Sequence, residues 1–210
     1  ILMLGSLVLV SSFTATFASA FVARRIQEAQ QQRDVEWEQH TLFCGWNDMA
    51  PDVLRALNEY SGETTRQVVV INDRDQEWID LQLRGFDNLE LRFIRGNFVA
   101  EEELAKANIR HASAVIVVPD APEGGVPNDL RTIEGTVTIK DLAPDVKVFA
   151  HVYDPERVAN VRRAMVDDVV VTNQFIPELL SGFVTQTGVP QAVRQMLSRE
   201  EAGVEIGVES

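Results

Sequence analysis

Few side chains in this 210-residue sequence are placed to do covalent chemistry. The three histidines are scattered: His40 precedes an apolar run, His111 lies in a helix-to-strand loop and His151 lies within an apolar run. None has a Ser or Cys nucleophile at a recognisable elbow. Cys44 is the only cysteine, so no intramolecular disulfide exists, and one Cys with three separated His offers no ligand pairs at metal spacing. At the end of a short apolar run, Cys44 reads as a buried small hydrophobe. Glu101-Glu102-Glu103 suits the acidic first turn of a helix. Neither a catalytic set nor a metal site is expected.

Binding chemistry is better represented, and it sits at turns. Gly45-Trp46-Asn47-Asp48-Met49-Ala50 follows Thr41-Leu42-Phe43-Cys44 with the spacing of the GxGxxG phosphate-binding turn. Asn47 replaces the second glycine and restricts backbone approach to a pyrophosphate, and Asp48 opposes an anion at the helix start. The competing reading is an ordinary strand-to-helix turn in which Gly45 merely permits the bend. Asp73, just past the run Val68-Val69-Val70-Ile71, stands where a carboxylate accepts the ribose hydroxyls of an adenosine. Its plainer role is as one turn residue of Asn72-Asp73-Arg74-Asp75, in which Asp75 suits a helix cap and Arg74 a phosphate or an adenine ring. Gly96 closes the third apolar run. The candidate ligand set is Gly45, Asn47, Asp48, Asp73, Arg74 and Gly96.

The elements that position these turns alternate between two periods. Apolar runs at 41–44, 68–71, 89–94, 114–118, 146–152 and 169–171 are separated by segments of helical spacing at 50–60, 76–83, 101–108, 128–142 and 155–165. Continuous apolar strands separated by amphipathic helices predict a parallel sheet covered on both faces. Six strands fit the doubly wound, Rossmann-like order 3-2-1-4-5-6, whose ligands sit where the first and fourth strands diverge. Composition agrees, with 45% hydrophobic and 24% charged residues and no repeat or low-complexity tract. A formal charge of -13 argues against a nucleic-acid partner.

From Ile1 to Ala23 no residue is charged, and Arg24-Arg25 follows at once. That length crosses a hydrocarbon core as a helix, and the basic residues after it put the rest of the chain on the cytoplasmic side. Ala18-Ser19-Ala20 also has the form of a secretory cleavage site, and a buried helix in a larger protein is a third reading. The missing initial Met suggests a longer protein upstream. Residues 27–38 are Gln- and charge-rich, a linker or a helix extended into water. The expected organisation is a transmembrane helix over 1–23, a linker over 24–39, the Rossmann-like lobe over 40–172, and crossover helices opening a further lobe over 173–210.

Taken together, Thr41 to Asp48, Val68 to Ile71, Gly96 and Leu104-Ala105-Lys106-Ala107-Asn108-Ile109 leading to Ala114-Val115-Ile116-Val117-Val118 resemble the RCK domain, the regulator of potassium conductance, and the related TrkA amino-terminal domain. The resemblance covers about residues 41–188, and Gly-Trp-Asn-Asp with a long loop after the fourth strand is also similar to the castor/pollux-type channels. It implies a non-enzymatic gating module of a tetrameric potassium channel in the cell membrane. NAD or another adenine nucleotide is then a weakly held regulatory ligand. Residues 1–23 become the end of the pore-lining helix. Residues 173–188 become a crossover helix that pairs two domains through Phe175, Ile176, Leu179, Leu180 and Phe183. The calcium ligands of one archaeal branch fall at Val118, His151 and Tyr153, so that calcium site is not expected. Asn97 replaces the Asp usual after the third strand, which removes a polar anchor. The alternative function is a membrane-anchored or secreted NAD-binding oxidoreductase.

Overall fold

Six strands form one sheet in the order β3-β2-β1-β4-β5-β6, and every neighbouring pair is parallel. They are β1 (Thr41–Cys44), β2 (Arg66–Asn72), β3 (Leu89–Arg95), β4 (Ala114–Val117), β5 (Lys147–Val152) and β6 (Asp168–Val171). The helices are α1 (Ala50–Tyr60), α2 (Gln76–Gln82), α3 (Glu101–Lys106), α4 (Asp129–Leu142), α5 (Val158–Arg163), α6 (Thr172–Thr185) and α7 (Val189–Leu197). Structure is described, from a computed structural model, for residues 34–62, 64–121, 125, 127–185 and 188–197. The expected transmembrane helix over 1–23 lies outside the described residues. Among those described, no helix is long and apolar enough to cross a membrane.

The expected strand order and helix placement hold, with ends shifted by a residue or two. The segment 155–165 divides into a 3-10 turn over Pro155–Arg157 and then α5. Asp154 caps that turn by accepting from the N–H of Glu156 at 2.9 Å.

Strand pleat explains the continuous apolar runs. In β2, Val69 and Ile71 face a core shared with Leu42, Cys44, Val115 and Val117 and covered by Leu104 of α3 and Ile139 of α4. Val68 and Val70 face the opposite core with Phe43, covered by Leu54 of α1 and Ile79 of α2. Among the described residues double coverage does not extend to the far edge of the sheet. Phe149 and Val170 are 41% and 54% exposed, because the helices after β4 and β5 return across the other face, where Val161 of α5 packs on Ala150, Val152 and Val171.

Residues 34–39 of the expected linker contain no helix and lie against the domain. The N–H of Val35 donates to the Lys106 carbonyl and that of Gln39 to the His111 carbonyl, both at 2.7 Å. Asn108 donates to the Trp37 carbonyl at 3.0 Å, and Val35 is buried in the α3–α4 core. His40 is buried as well, with Nε2 at 2.9 Å from the Ala107 carbonyl. Burial lowers its pKa, opposed by the carbonyls of Ala107 and Trp37.

Candidate functional site

The first turn is built around a close approach that only glycine permits. Gly45 has φ +88°, and a Cβ there would lie 2.0 Å from the Val118 carbonyl oxygen. The β1 and β4 ends therefore sit close together before their chains diverge, which is where a doubly wound sheet opens its ligand crevice. A cleft of about 450 Å³ lies there, lined by Asp73, Arg74, Asp75, Arg95, Asp120, Ala121, Asn128 and Arg131. Three aspartates and three arginines balance its charge within a chain of formal charge -13.

Of the six expected ligand residues, Asp73 and Arg74 line this cleft. The Asp73 carboxylate lies at the end of β2, 3.1 Å from Arg131 Nη1. Arg74 is fixed by its own N–H, which donates to Asn72 Oδ1 at 2.9 Å, and its guanidinium donates to the Ala121 carbonyl and lies 5.1 Å from the Trp78 ring centre. Among the described residues no carboxylate lies within ion-pair distance of Arg74, and its charge acts on Asp120 from farther off. Asp75 occupies the cap position of α2 but makes no capping hydrogen bond; its carboxylate instead pairs with Arg95 at 2.7 Å.

The turn residues are differently used. Asn47 is buried, with Nδ2 donating to the Pro119 carbonyl at 3.2 Å and Oδ1 accepting from the N–H of Met49 at 3.0 Å. Its amide closes the turn internally. Asp48 is exposed one residue before the cap of α1. Gly96 donates its N–H to the Asn72 carbonyl at 2.8 Å, and a Cβ there would lie 2.6 Å from the Glu103 side chain. This glycine therefore leaves room for the Glu103 side chain at the end of β3.

Asp120 and Arg131 are among the cleft residues that the sequence did not single out. Asp120 follows β4, and its Oδ1 accepts from the N–H of Trp46 at 2.8 Å, while Oδ2 lies 2.7 Å from Arg131 Nη1. Its backbone is pinned by a bridge to Asn128 and by the neighbouring Ala121 N–H, which donates to the Trp46 carbonyl. Burial raises its carboxyl pKa, opposed by Arg131 and the Trp46 N–H and reinforced by Asp73. Arg131, from the first turn of α4, also donates to Asn97 Oδ1 at 2.8 Å and lies 5.4 Å from the Phe98 ring centre. One guanidinium thus joins the ends of β2 and β4 and the loop after β3. The signal for Asp120 was its place at the end of the fourth strand, the rule that selected Asp73; Arg131 carried no such signal, being an ordinary polar helix residue.

Val118 is buried, and the His151 and Tyr153 rings lie edge to face with centroids 4.7 Å apart. Among the described residues no group of three metal-ligating side chains could hold an ion. In the α6 segment, Leu180 and Phe183 are 58% and 39% exposed and Leu179 is partly buried, while the Phe175 and Ile176 side chains lie outside the described residues.

Comparison with known proteins gives a consistent result. The TrkA-N domain family model matches residues 41–172. The calcium-gated potassium channel TvoK of Thermoplasma volcanium is 21% identical over 204 residues, 96% of this chain and 56% of that protein. The chain spans about half the length of the curated relatives it matches. Among solved structures, the TrkA-N domain of the Escherichia coli inner membrane protein ybaL superposes with TM-score 0.58 at 20% identity, over 71% of this chain and 99% of that one. The GsuK channel bound to NAD superposes with TM-score 0.54 at 18% identity, over 75% of this chain and 27% of that one.

Proposed function

The chain belongs to the TrkA-N domain family, and from that premise we propose that residues 40–172 are the ligand-sensing module of a potassium channel, with an adenine nucleotide as regulatory ligand. The observation that carries the reading is the charge-balanced cleft of about 450 Å³ at the β1/β4 divergence. Its residues suit a nucleotide on the β2 side. Asp73 would accept the ribose hydroxyls there, and Arg74, the cleft cation without a carboxylate partner among the described residues, would face a phosphate or stack with the base. Gly45 lets the β1 and β4 ends approach beside the cleft, while Asn47 and Asp48 limit approach to the turn. The relative named with NAD supports this ligand class, and the tied-up turn supports a weak, regulatory affinity.

Coupling to a pore follows the chain. Residues 34–40 are bonded to Lys106, Ala107, Asn108 and His111, so movement of the domain passes to the segment before it rather than dissipating in a slack tether. In this reading residues 1–23 end the pore helix, the sensing lobe is cytoplasmic, and α6 pairs two domains within a tetrameric channel. Exposed Leu180, Phe183 and Val184 on α6 are the apolar surface that such pairing would cover. Gating requires the nucleotide to favour one arrangement of the paired domains.

The test is titration calorimetry of the full chain in detergent with NAD, ADP and AMP, beside Asp73→Ala. Binding in the high-micromolar range, weakened on the order of tenfold by the substitution, is expected for loss of hydrogen bonds to a charged acceptor. Absence of binding by every nucleotide, or equal binding by Asp73→Ala, refutes the assignment.

A further inference from the structure

The first turn already holds an anion, and the chain supplies it. The Trp46 N–H, at the position from which a phosphate-binding turn addresses its ligand, donates to Asp120 Oδ1 at 2.8 Å. Other donors of the turn are committed too: Gly45 N–H to the Ile71 carbonyl at 2.9 Å, Met49 N–H to Asn47 Oδ1 and Ala50 N–H to the Asn47 carbonyl, each at 3.0 Å. Asp120 is not a loose surface group. Its side chain is 14% exposed, its backbone is bridged to Asn128, and Arg131 lies 2.7 Å from its other oxygen. A carboxylate thus accepts the turn's N–H beside a guanidinium charge, the arrangement a bound phosphate would seek, with the negative charge contributed by the protein.

We propose that Asp120 is the specificity-determining residue of the cleft, an internal carboxylate that excludes ligands whose phosphates must lie on the Gly45–Ala50 turn and favours nucleosides or nucleotides held from the β2 side. The proposal rests on the nucleotide reading above. Its physical basis is twofold. A phosphate brought to the turn meets a like charge in a partly desolvated site, and it finds the Trp46 N–H and one face of Arg131 already occupied. A ligand seated by Asp73 and Arg74 leaves the Trp46 N–H in place and meets the Asp120 charge only at longer range, although its ribose hydroxyls compete with Arg131, 3.1 Å away, for Asp73. The cleft therefore ranks ligands by where their phosphate falls, not by the adenosine they share.

Asp120→Asn removes the charge and keeps a side-chain oxygen for the Trp46 N–H. Calorimetry of the full chain in detergent compares adenosine, ADP and NAD on native and Asp120→Asn protein, with circular dichroism to confirm folding. In the variant the turn can take a phosphate, so ADP and NAD, held in the native protein from the β2 side, should each gain on the order of tenfold in affinity through the contact that Asp120 had closed. Adenosine should change less than about twofold. Should Asp120→Asn fail to fold, Asp120→Ser, smaller and still an acceptor, is read in the same way. Native binding with ADP and NAD unchanged by the substitution, or with adenosine shifted as much as they are, overturns the proposal and leaves the nucleotide reading standing. No binding of any ligand by native or variant protein refutes the nucleotide reading and this inference with it.

Discussion

Substituting Gly45 by alanine tests the close approach on which the site is built. The new Cβ would stand 2.0 Å from the Val118 carbonyl oxygen, at least 1 Å inside the nearest tolerable contact. Neither side can yield cheaply. The Val118 N–H donates to the Cys44 carbonyl at 2.9 Å and the Gly45 N–H to the Ile71 carbonyl at 2.9 Å, so widening the gap breaks hydrogen bonds on both sides of β1. Gly85 separates the two contributions, since its φ is +83° against +88° at Gly45, yet a Cβ there meets nothing within 4 Å. Gly85→Ala should cost only the backbone penalty of positive φ, about 1–2 kcal/mol. Gly45→Ala adds overpacking of about 1–3 kcal/mol, for a total of about 2–5 kcal/mol. That is a large fraction of the roughly 5–15 kcal/mol that holds an ordinary domain folded. Urea unfolding followed by tryptophan fluorescence is the assay, because Trp46 adjoins the turn and meets the Trp78 ring edge to face at 5.7 Å. Equal losses in the two variants, with unchanged denaturant slopes, would refute the close-contact argument.

Two further outcomes are expected. Leu180→Asp should weaken self-association on the order of tenfold or more, since an unpaired charge would enter an apolar contact; sedimentation velocity measures it, and a native chain that stays monomeric at every concentration contradicts the pairing. The Asp167 carboxylate accepts from the Val148 N–H at 2.7 Å and from buried Lys140 Nζ at 3.1 Å, and these hold its pKa below the ordinary value, the Val148 bond foremost. A lowered folded-state pKa stabilises above the unfolded value of about 4 and is lost as pH falls through the folded one. Asp167→Asn should therefore lower the Tm by on the order of 2–4 °C at pH 7, with the difference shrinking below about pH 4. A difference that stays constant across that range would show that the carboxylate charge is not responsible.

The strand order, the divergence of β1 from β4 and the placement of Asp73 and Arg74 were legible in the sequence because they depend on local period and chain direction. An apolar run of four to seven residues followed by a helical period admits few layered arrangements, and right-handed crossovers reduce them further. Gly45 was legible as a bend, and its close contact with Val118 was not. Contacts between residues far apart in the chain could be decided only by the fold. Asp120 reaches the Trp46 N–H across 74 positions, and Arg131 reaches Asp73 across 58. No period or spacing couples such positions; the sheet brings them together by setting β2 and β4 on either side of β1. The same holds for Asn47, a weakened phosphate-turn residue by spacing alone, which the approach of Pro119 converts into a buried clamp. Local pattern alone was enough to show where the strand ends part and which of them border the cleft. That the Asp120 carboxylate takes the Trp46 N–H was set by the fold, because it depends on the few ångströms between two strand ends rather than on either strand.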